Sequence, residues 1–400
     1  MKSAFEVFRE FLILGLTSFG GPTAHVAFFR DRFVGVKKWM SEADFADLLA
    51  LCQFLPGPAS SQLGLSIGWR KAGWAGAFAA WFAFTMPSAI ALTLFGIGVM
   101  KFGGGLAAET GWLRGLQIAV VVVIAQAVVS MWSVLCPDRK RKLIALVAAG
   151  LILGTGPAWM QIVVIVLGAI AGLLFLQKEN SDRDSTGLSE GADPVKSGYA
   201  VGAACLIAFF VFLIGLPLAV NLMPGSAVLE TFNAMYRSGS LVFGGGHVVL
   251  PLLSQEVVEP GWVSREEFLA GYGAAQAVPG PLFTFAAFLG SLIEGPGGAW
   301  GMAAVALLGI FLPAWLLILG VMPFWHRVVA FQNVRSALAG TNAAVVGLLG
   351  AALYEPVWVG AIGSAKDVVF LIVIAAALLV LRLPAWAVVI AAGLLGWVVL

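Results

Sequence analysis

Charge is scarce in this 400-residue chain, at 11% of residues against about 25% in a soluble domain. Cysteine and histidine are scarcer, with three of each. Cys52, Cys136 and Cys205 are scattered, so they form neither a disulfide framework nor a metal-ligand spacing, and Cys52 reads as a small buried apolar residue. No His/Cys/Asp/Glu cluster suits a metal ion. No Asp pair, His-Glu-x-x-His motif or Ser/His dyad at helical spacing points to an enzyme. No cofactor, resident metal or catalytic residue is therefore expected. A net charge of +2 gives no argument for a nucleic-acid partner. Glu6, Arg9 and Glu10 interrupt the N-terminal apolar run, which does not read as a cleavable signal.

Apolar residues are abundant, at 60%. Residues 115–136 and 143–177 carry no charge, and a helix needs roughly 20 apolar residues to cross a hydrocarbon core. An all-α, multi-pass membrane protein is expected, with the lipid bilayer as its solvent.

Within this apolar chain one unit is written twice. Leu55-Pro56-Gly57-Pro58 returns as Val278-Pro279-Gly280-Pro281, with Gln53 and Gln276 three residues before the first proline of each. Phe19-Gly20-Gly21-Pro22 precedes the first copy, and Phe243-Gly244-Gly245-Gly246 the second. Trp39, Ser41 and Phe45 match Trp262, Ser264 and Phe268; further on, Trp74, Pro87 and Pro157-Ala158-Trp159 match Trp300, Pro313 and Pro384-Ala385-Trp386. Four parts follow: a first repeat (1–176), a polar, flexible linker (177–198), an unpaired connecting transmembrane helix (199–222) and a second repeat (223–400).

Basic residues favour cytoplasmic loops. Arg30, Arg32, Lys37 and Lys38, then Arg70 and Lys71, then Arg139, Lys140, Arg141 and Lys142 crowd three loops of the first repeat. The matching loops of the second repeat are depleted, whereas its remaining loop carries His326, Arg327 and Arg335 with no acid. This is the pattern of two inverted-topology repeats. With both flanking loops cytoplasmic, residues 45–69 must cross an even number of times. A re-entrant helical hairpin turning at Pro56-Gly57-Pro58 satisfies that. Arms of about 11 residues, or some 17 Å, end near the midplane. The matching hairpin, 268–292, enters from the other face.

The breaks are where chemistry is expected. Broken backbone inside a membrane is tolerated only against protein or a water-filled cavity, and in transporters such breaks mark substrate sites. Pro56 ends the first arm, Gly57 permits the turn and Pro58 suits the start of the second arm. The N–H groups of Ala59, Ser60 and Ser61 are then left without helical acceptors at the positive end of a helix dipole, an arrangement that binds anions. The Ser60 and Ser61 hydroxyls add donors, and Thr284 matches Ser61 in the second copy. A structural kink satisfied by neighbouring helices is the competing reading. His25 and His247 follow the Phe-Gly-Gly motifs at non-equivalent positions. Each could bond an anion, relay a proton or sit hydrogen-bonded in the interior. Arg114 and Arg335 could balance a dianion or snorkel at helix ends. Glu230 and Glu294 could couple protons or lie in surface loops.

The string from Ser18 to His25, the stretch Ala50 to Gln62, Arg70-Lys71-Ala72-Gly73, Phe243 to His247 and Gln276 to Pro281 resemble the chromate ion transporter family in its two-repeat form. The resemblance covers nearly the whole chain apart from the linker and residues 199–222. It implies a prokaryotic inner-membrane protein that expels chromate, confers resistance and is driven by the proton gradient or membrane potential. It implies motif roles for Gly20, Gly21, Pro22, His25, Gln53, Pro56, Gly57 and Pro58 and for their second-repeat counterparts. The second copy departs from the pattern at Gly246, where the first has Pro22, and at Val249, where alignment to His25 would place a histidine. Chromate is a tetrahedral dianion close to sulfate in size and charge, and N–H, hydroxyl and amide donors would hold either. The reading is a secondary active chromate exporter. A sulfate-like oxyanion importer or exchanger, and an anion channel, are the alternatives. The expected partners are the oxyanion, the bilayer and a second copy of the chain.

Overall fold

The computed structural model describes residues 2–103, 111–155, 160–177, 198–325 and 331–400. All but the end residues of the linker, the stretch Pro157-Ala158-Trp159, and His326 and Arg327 lie outside the described residues. The described chain is helical throughout. The first repeat comprises α1 (Lys2–Thr17), α2 (Gly21–Phe29, continued in π-helical geometry through Arg30–Val36), α3 (Glu42–Phe54), α4 (Ala59–Gly103), α5 (Gly111–Leu135), α6 (Arg139–Thr155) and α7 (Met160–Phe175). Next comes α8 (Tyr199–Leu222). The second repeat comprises α9 (Ala227–Ser240), α10 (Val249–Val257), α11 (Arg265–Ala277), α12 (Phe285–Leu292), α13 (Gly298–Val321), α14 (Gln332–Ala352), α15 (Ala365–Ala375) and α16 (Ala385–Val399). Among the described residues, five helical segments are long and apolar enough to cross a membrane: Ala59–Lys101, Gly111–Leu135, Tyr199–Leu222, Gly298–Phe324 and Gln332–Ala361.

The two helical hairpins are present and start identically. Ser41 accepts the Asp44 N–H while the Asp44 carboxylate takes the Ser41 N–H, and Ser264 and Glu267 do the same. These capping boxes satisfy two orphan donors each and fix where α3 and α11 begin. Both helices have 13 residues, about 20 Å at 1.5 Å per residue, slightly longer than the spacing predicts. Leu55 and Val278 end them in extended geometry (ψ 147° and 148°), as a following proline demands. The return arm of the first hairpin is the start of α4. That helix breaks at Ala72 and Gly73, where φ is −147° and +61°, so residues 59–71 form the arm and 74–103 the long crossing. Gly68 and Gly76 press together across this break, leaving no room for a side chain: a Cβ on Gly76 would lie 2.1 Å from the Gly68 carbonyl oxygen.

The repeats exchange their late helices. α16 of the second repeat packs along α5 of the first, and α7 of the first packs along α14 of the second. Both crossings rest on small residues four apart. A Cβ on Gly115 would meet the Ala392 carbonyl at 2.1 Å and one on Gly396 the Gly111 carbonyl at 2.3 Å. In the other pair, a Cβ on Gly172 would meet the Ser336 carbonyl and one on Gly340 the Gly168 carbonyl, each at 2.1 Å. In a bilayer no hydrophobic force separates helix from lipid, so such close backbone approach supplies the packing energy. Swapping equivalent partners between halves is what a pseudo-twofold relation between two inverted repeats produces. The early helices repeat the theme, with Gly15 of α1 against the Ala83 carbonyl and Gly239 of α9 against the Ile310 carbonyl.

The helix between the repeats, α8, sits at the edge, with Gly202 and Phe209 its buried residues. It is tied to the second repeat by the Tyr236 hydroxyl, which donates to the Phe209 carbonyl at 3.0 Å.

Candidate functional site

Each Pro-Gly-Pro tip is bound to the Phe-Gly-Gly break of the other repeat. The Gly57 N–H donates to the Val242 carbonyl at 2.7 Å, and the Gly280 N–H donates to the Ser18 carbonyl at 3.0 Å. Ser18 precedes Phe19 and Val242 precedes Phe243, so the two bonds are equivalent. Both tip glycines hold positive φ (+118° and +102°), as do Gly20 and Gly21 (+103°, +74°) and Gly244 and Gly245 (+77°, +148°). Non-glycine residues rarely adopt that region. The two tips and the two Phe-Gly-Gly breaks are thus paired across the repeats, and at Gly57 and Gly280 the freed backbone N–H finds its acceptor in the opposite repeat, which lets the backbone open there.

Pro22 and Gly246 explain the sequence departure between the copies. They are equivalent positions that face one another: a Cβ on Gly246 would sit 3.2 Å from Pro22 Cγ. Where a pseudo-twofold brings a position against its own counterpart, two prolines would collide. One bulky ring and one glycine fit.

The histidines do different jobs. His25 is buried, at 1% exposure. Its Nε2 lies 3.2 Å from the Ser18 carbonyl and its Nδ1 3.3 Å from Ser60 Oγ. A carbonyl only accepts, so Nε2 carries a proton, and in the neutral ring Nδ1 accepts the Ser60 hydroxyl proton. Ser18 and His25 thus link the second tip, through Gly280, to the return arm of the first, through Ser60. Both ring nitrogens are occupied, and His25 braces the site instead of presenting an open donor. The Ser60 hydroxyl is likewise engaged. His247 is half-buried, with Nδ1 2.8 Å from the hydroxyl of fully buried Tyr272. Leu49 stands where a first-repeat Tyr272 would, so this pair belongs to one repeat alone.

The tips differ in what they leave unpaired. At the first, the Gln62 amide donates to the Pro56 carbonyl at 2.8 Å, and the first helical bond runs from the Gln62 N–H to the Pro58 carbonyl. The N–H groups of Ala59, Ser60 and Ser61 precede that bond and have no acceptor within the helix. Ser61 Oγ and Gln62 Oε1 are buried without a hydrogen-bond partner among the described residues. At the second tip the chain tightens into a 3-10 turn over Leu282–Thr284. Thr284 spends both donors on the Pro281 carbonyl, N–H at 3.0 Å and hydroxyl at 2.7 Å. Thr284 therefore offers nothing equivalent to Ser61. The buried Gln276 side-chain amide lies beside the Tyr272 hydroxyl, while Gln53 is exposed.

The remaining candidates lie apart. The Arg114 guanidinium donates to the Asp367 carboxylate at 2.6 Å, and Asp367, 1% exposed, caps α15 through Ser364. This is a helix-end ion pair, not a cation awaiting a dianion. Arg335 lies in the first turn of α14. The Glu230 carboxylate accepts the Gly225 N–H at 2.8 Å at the start of α9, and Glu294 is exposed, so both are loop-side groups. Ser18, Gln62 and Tyr272 were assigned no role from sequence, although Ser18 and Gln62 lie inside the motif strings. Serine, glutamine and tyrosine in an apolar segment carry no signal of their partners, which here come from elsewhere in the chain.

Comparison with known proteins places this architecture. The family model described as chromate transporter matches the chain twice, over residues 5–173 and 229–397. A chromate transport protein of Pseudomonas aeruginosa is 31% identical over 98% of this chain and 92% of its own length. An uncharacterized transporter of Methanocaldococcus jannaschii is 28% identical over 87% of this chain and 83% of its own. A probable chromate transport protein of Synechococcus elongatus is 26% identical over 87% and 83%. No solved structure matches the chain. The two matched segments coincide with the two structural repeats, and the chain belongs to the chromate transporter family.

Proposed function

We propose that this protein is a secondary active transporter that exports chromate across the inner membrane of a prokaryotic cell and so confers resistance, and that the first-repeat tip holds the anion. One observation carries the choice of tip: three helix-start N–H groups, at Ala59, Ser60 and Ser61, converge with a buried, unpartnered Ser61 hydroxyl, whereas Thr284 has used both of its donors. The family relationship supports chromate as the substrate. Fixed backbone and hydroxyl donors bind a tetrahedral dianion without a buried lysine. An inside-negative potential favours outward movement of a dianion by about 4.6 kcal/mol per 100 mV, twice the single-charge value. Electrogenic export then needs no obligatory cation.

The test is radiolabelled chromate flux in proteoliposomes under an imposed potential, with and without excess sulfate. Saturable flux that follows the potential supports the transporter. Non-saturating flux would point to a channel, and inward flux against the potential to an importer. Sulfate inhibition would mark a shared oxyanion site. No chromate flux from folded protein would remove the substrate.

A further inference from the structure

Helix α9 carries a polar stripe. Glu230, Asn233, Arg237 and Ser240 recur three and four residues apart, so they share one face. Other sides of the helix are taken: the Tyr236 hydroxyl reaches the Phe209 carbonyl of α8, and Gly239 lies against the Ile310 carbonyl of α13. Arg237 is the only Lys or Arg between residues 199 and 264. It stands ten residues past Ala227, the first of α9, about 15 Å at 1.5 Å per residue. That is about half of a hydrocarbon core about 30 Å thick. An arginine at such depth faces the protein interior or a water-filled cavity and marks an ion pathway.

The partner of Arg237 is the Glu256 carboxylate of α10, at 3.3 Å. Both side chains are half-buried. Charge-assisted N–H···O bonds close to about 2.7–2.9 Å, so this pair is loose. Asn233, one turn away on the same face, is buried and its Oδ1 has no hydrogen-bond partner among the described residues. The first repeat treats the corresponding contact differently. In the register that equates Phe19 with Phe243, Glu256 corresponds to Arg32. Arg32 donates to fully buried Glu10 of α1 at 2.7 Å, and Arg9 and Lys37 meet the same carboxylate at 3.0 and 2.7 Å. Glu10 is saturated, and its cluster is a lock. In the second repeat the signs are exchanged, with the cation on α9 and the acid on α10, and the contact is loose.

The pair lies between the first tip and the outside. Five residues past Arg237, the Val242 carbonyl takes the Gly57 N–H of that tip. Just past Glu256, α10 gives way to the loop at residues 258–264, which the basic-residue bias puts on the external face.

We propose that Arg237 is the release-side cation of the transport path. The oxyanion leaving the first tip displaces Glu256 from Arg237, and Glu256, returning, displaces the anion towards the external face. A tethered carboxylate suits this role, because an arginine without a competitor would hold a dianion and slow its release. The proposal rests on the reading that the first tip holds the anion.

The experiment is equilibrium binding of radiolabelled chromate to the full-length protein in mild detergent, paired with chromate flux in proteoliposomes. Glu256→Gln keeps the shape of the side chain and removes the competing charge. It should bind chromate at least fivefold more tightly and lower maximal flux at least fivefold. The double variant Arg237→Gln/Glu256→Gln should lose that tightening. Arg237→Lys, which keeps the charge, should carry at least three times the flux of Arg237→Gln per folded molecule. A merely structural pair would instead lower thermal stability in Glu256→Gln and leave chromate affinity unchanged, and that result would overturn the proposal. So would tightening that persists in the double variant. Ser61→Ala separates the two readings. Wild-type binding that Ser61→Ala weakens, with Glu256→Gln unchanged, would overturn the role of Arg237 alone. No chromate binding by the wild type or by Glu256→Gln would overturn both.

Discussion

Pro22 and Gly246, equivalent residues of two repeats, meet face to face, with 3.2 Å between Pro22 Cγ and the place a Gly246 side chain would begin. The asymmetry between the copies is thus a packing requirement of their symmetry. Gly246→Val should overpack this contact at a cost of about 1–3 kcal/mol. Pro22→Ala in the same chain should recover much of the loss, since contacting residues couple. Thermal unfolding of detergent-purified single and double variants checks this, and additive losses would remove the contact from the explanation.

The tip glycines combine positive φ with close neighbours. In Gly57→Ala the new Cβ would lie 3.0 Å from Gln62 Nε2, and in Gly280→Ala 2.8 Å from Ser88 Oγ and 3.2 Å from the Phe84 carbonyl. Backbone strain of about 1–3 kcal/mol adds to this. Chromate flux per folded molecule should fall at least tenfold in both, and more steeply for Gly280→Ala. Gly261→Ala is the control. Its φ is +80° but no atom lies within 4 Å of the new Cβ, so it should lose stability and keep its flux.

Ser61 and Thr284 are equivalent in sequence and opposite in availability. Ser61→Ala removes a donor that no protein group claims among the described residues. A hydrogen bond to a charged partner contributes about 1.5–3 kcal/mol, so chromate KM should rise about tenfold or more with folding unchanged. Thr284→Val should move KM less than about twofold. Equal effects would place the anion between the tips.

The Arg114–Asp367 pair predicts the reverse profile. Arg114→Gln leaves Asp367 buried and short of its cation, and should lower stability by about 1–3 kcal/mol while leaving chromate KM unchanged. A raised KM with unchanged stability would return Arg114 to the transport site.

Asp44 predicts a pH dependence. Burial alone would push its carboxyl up, but the Ser41 hydroxyl and the Arg70 guanidinium, at 2.9 Å, outweigh it and hold the group below its ordinary 3.8. A depressed carboxyl stabilises the fold fully above the ordinary value and stops doing so as pH falls through the lower, folded value. Arg70→Gln should move that acid loss to higher pH, readable as a shift of the unfolding midpoint against pH.

Much of this protein was written along the chain. Composition determined the membrane class, because so few charges leave no water-facing shell. The duplicated Pro-Gly-Pro and Phe-Gly-Gly motifs determined where helices break, since proline and glycine act on their own backbone whatever surrounds them. Ser41 and Ser264 marked the hairpin starts for the same local reason. Tertiary structure decided everything that depends on a partner from elsewhere: that Gly57 reaches Val242 and Gly280 reaches Ser18, that Ser18 and His25 link the tips, and that Arg114 is claimed by Asp367. Even Ser61 and Thr284, alike in sequence, were separated only by an α-helical start at one tip and a 3-10 turn at the other. Hydrogen-bond satisfaction in a medium without water is settled between segments hundreds of residues apart, and no local pattern records it.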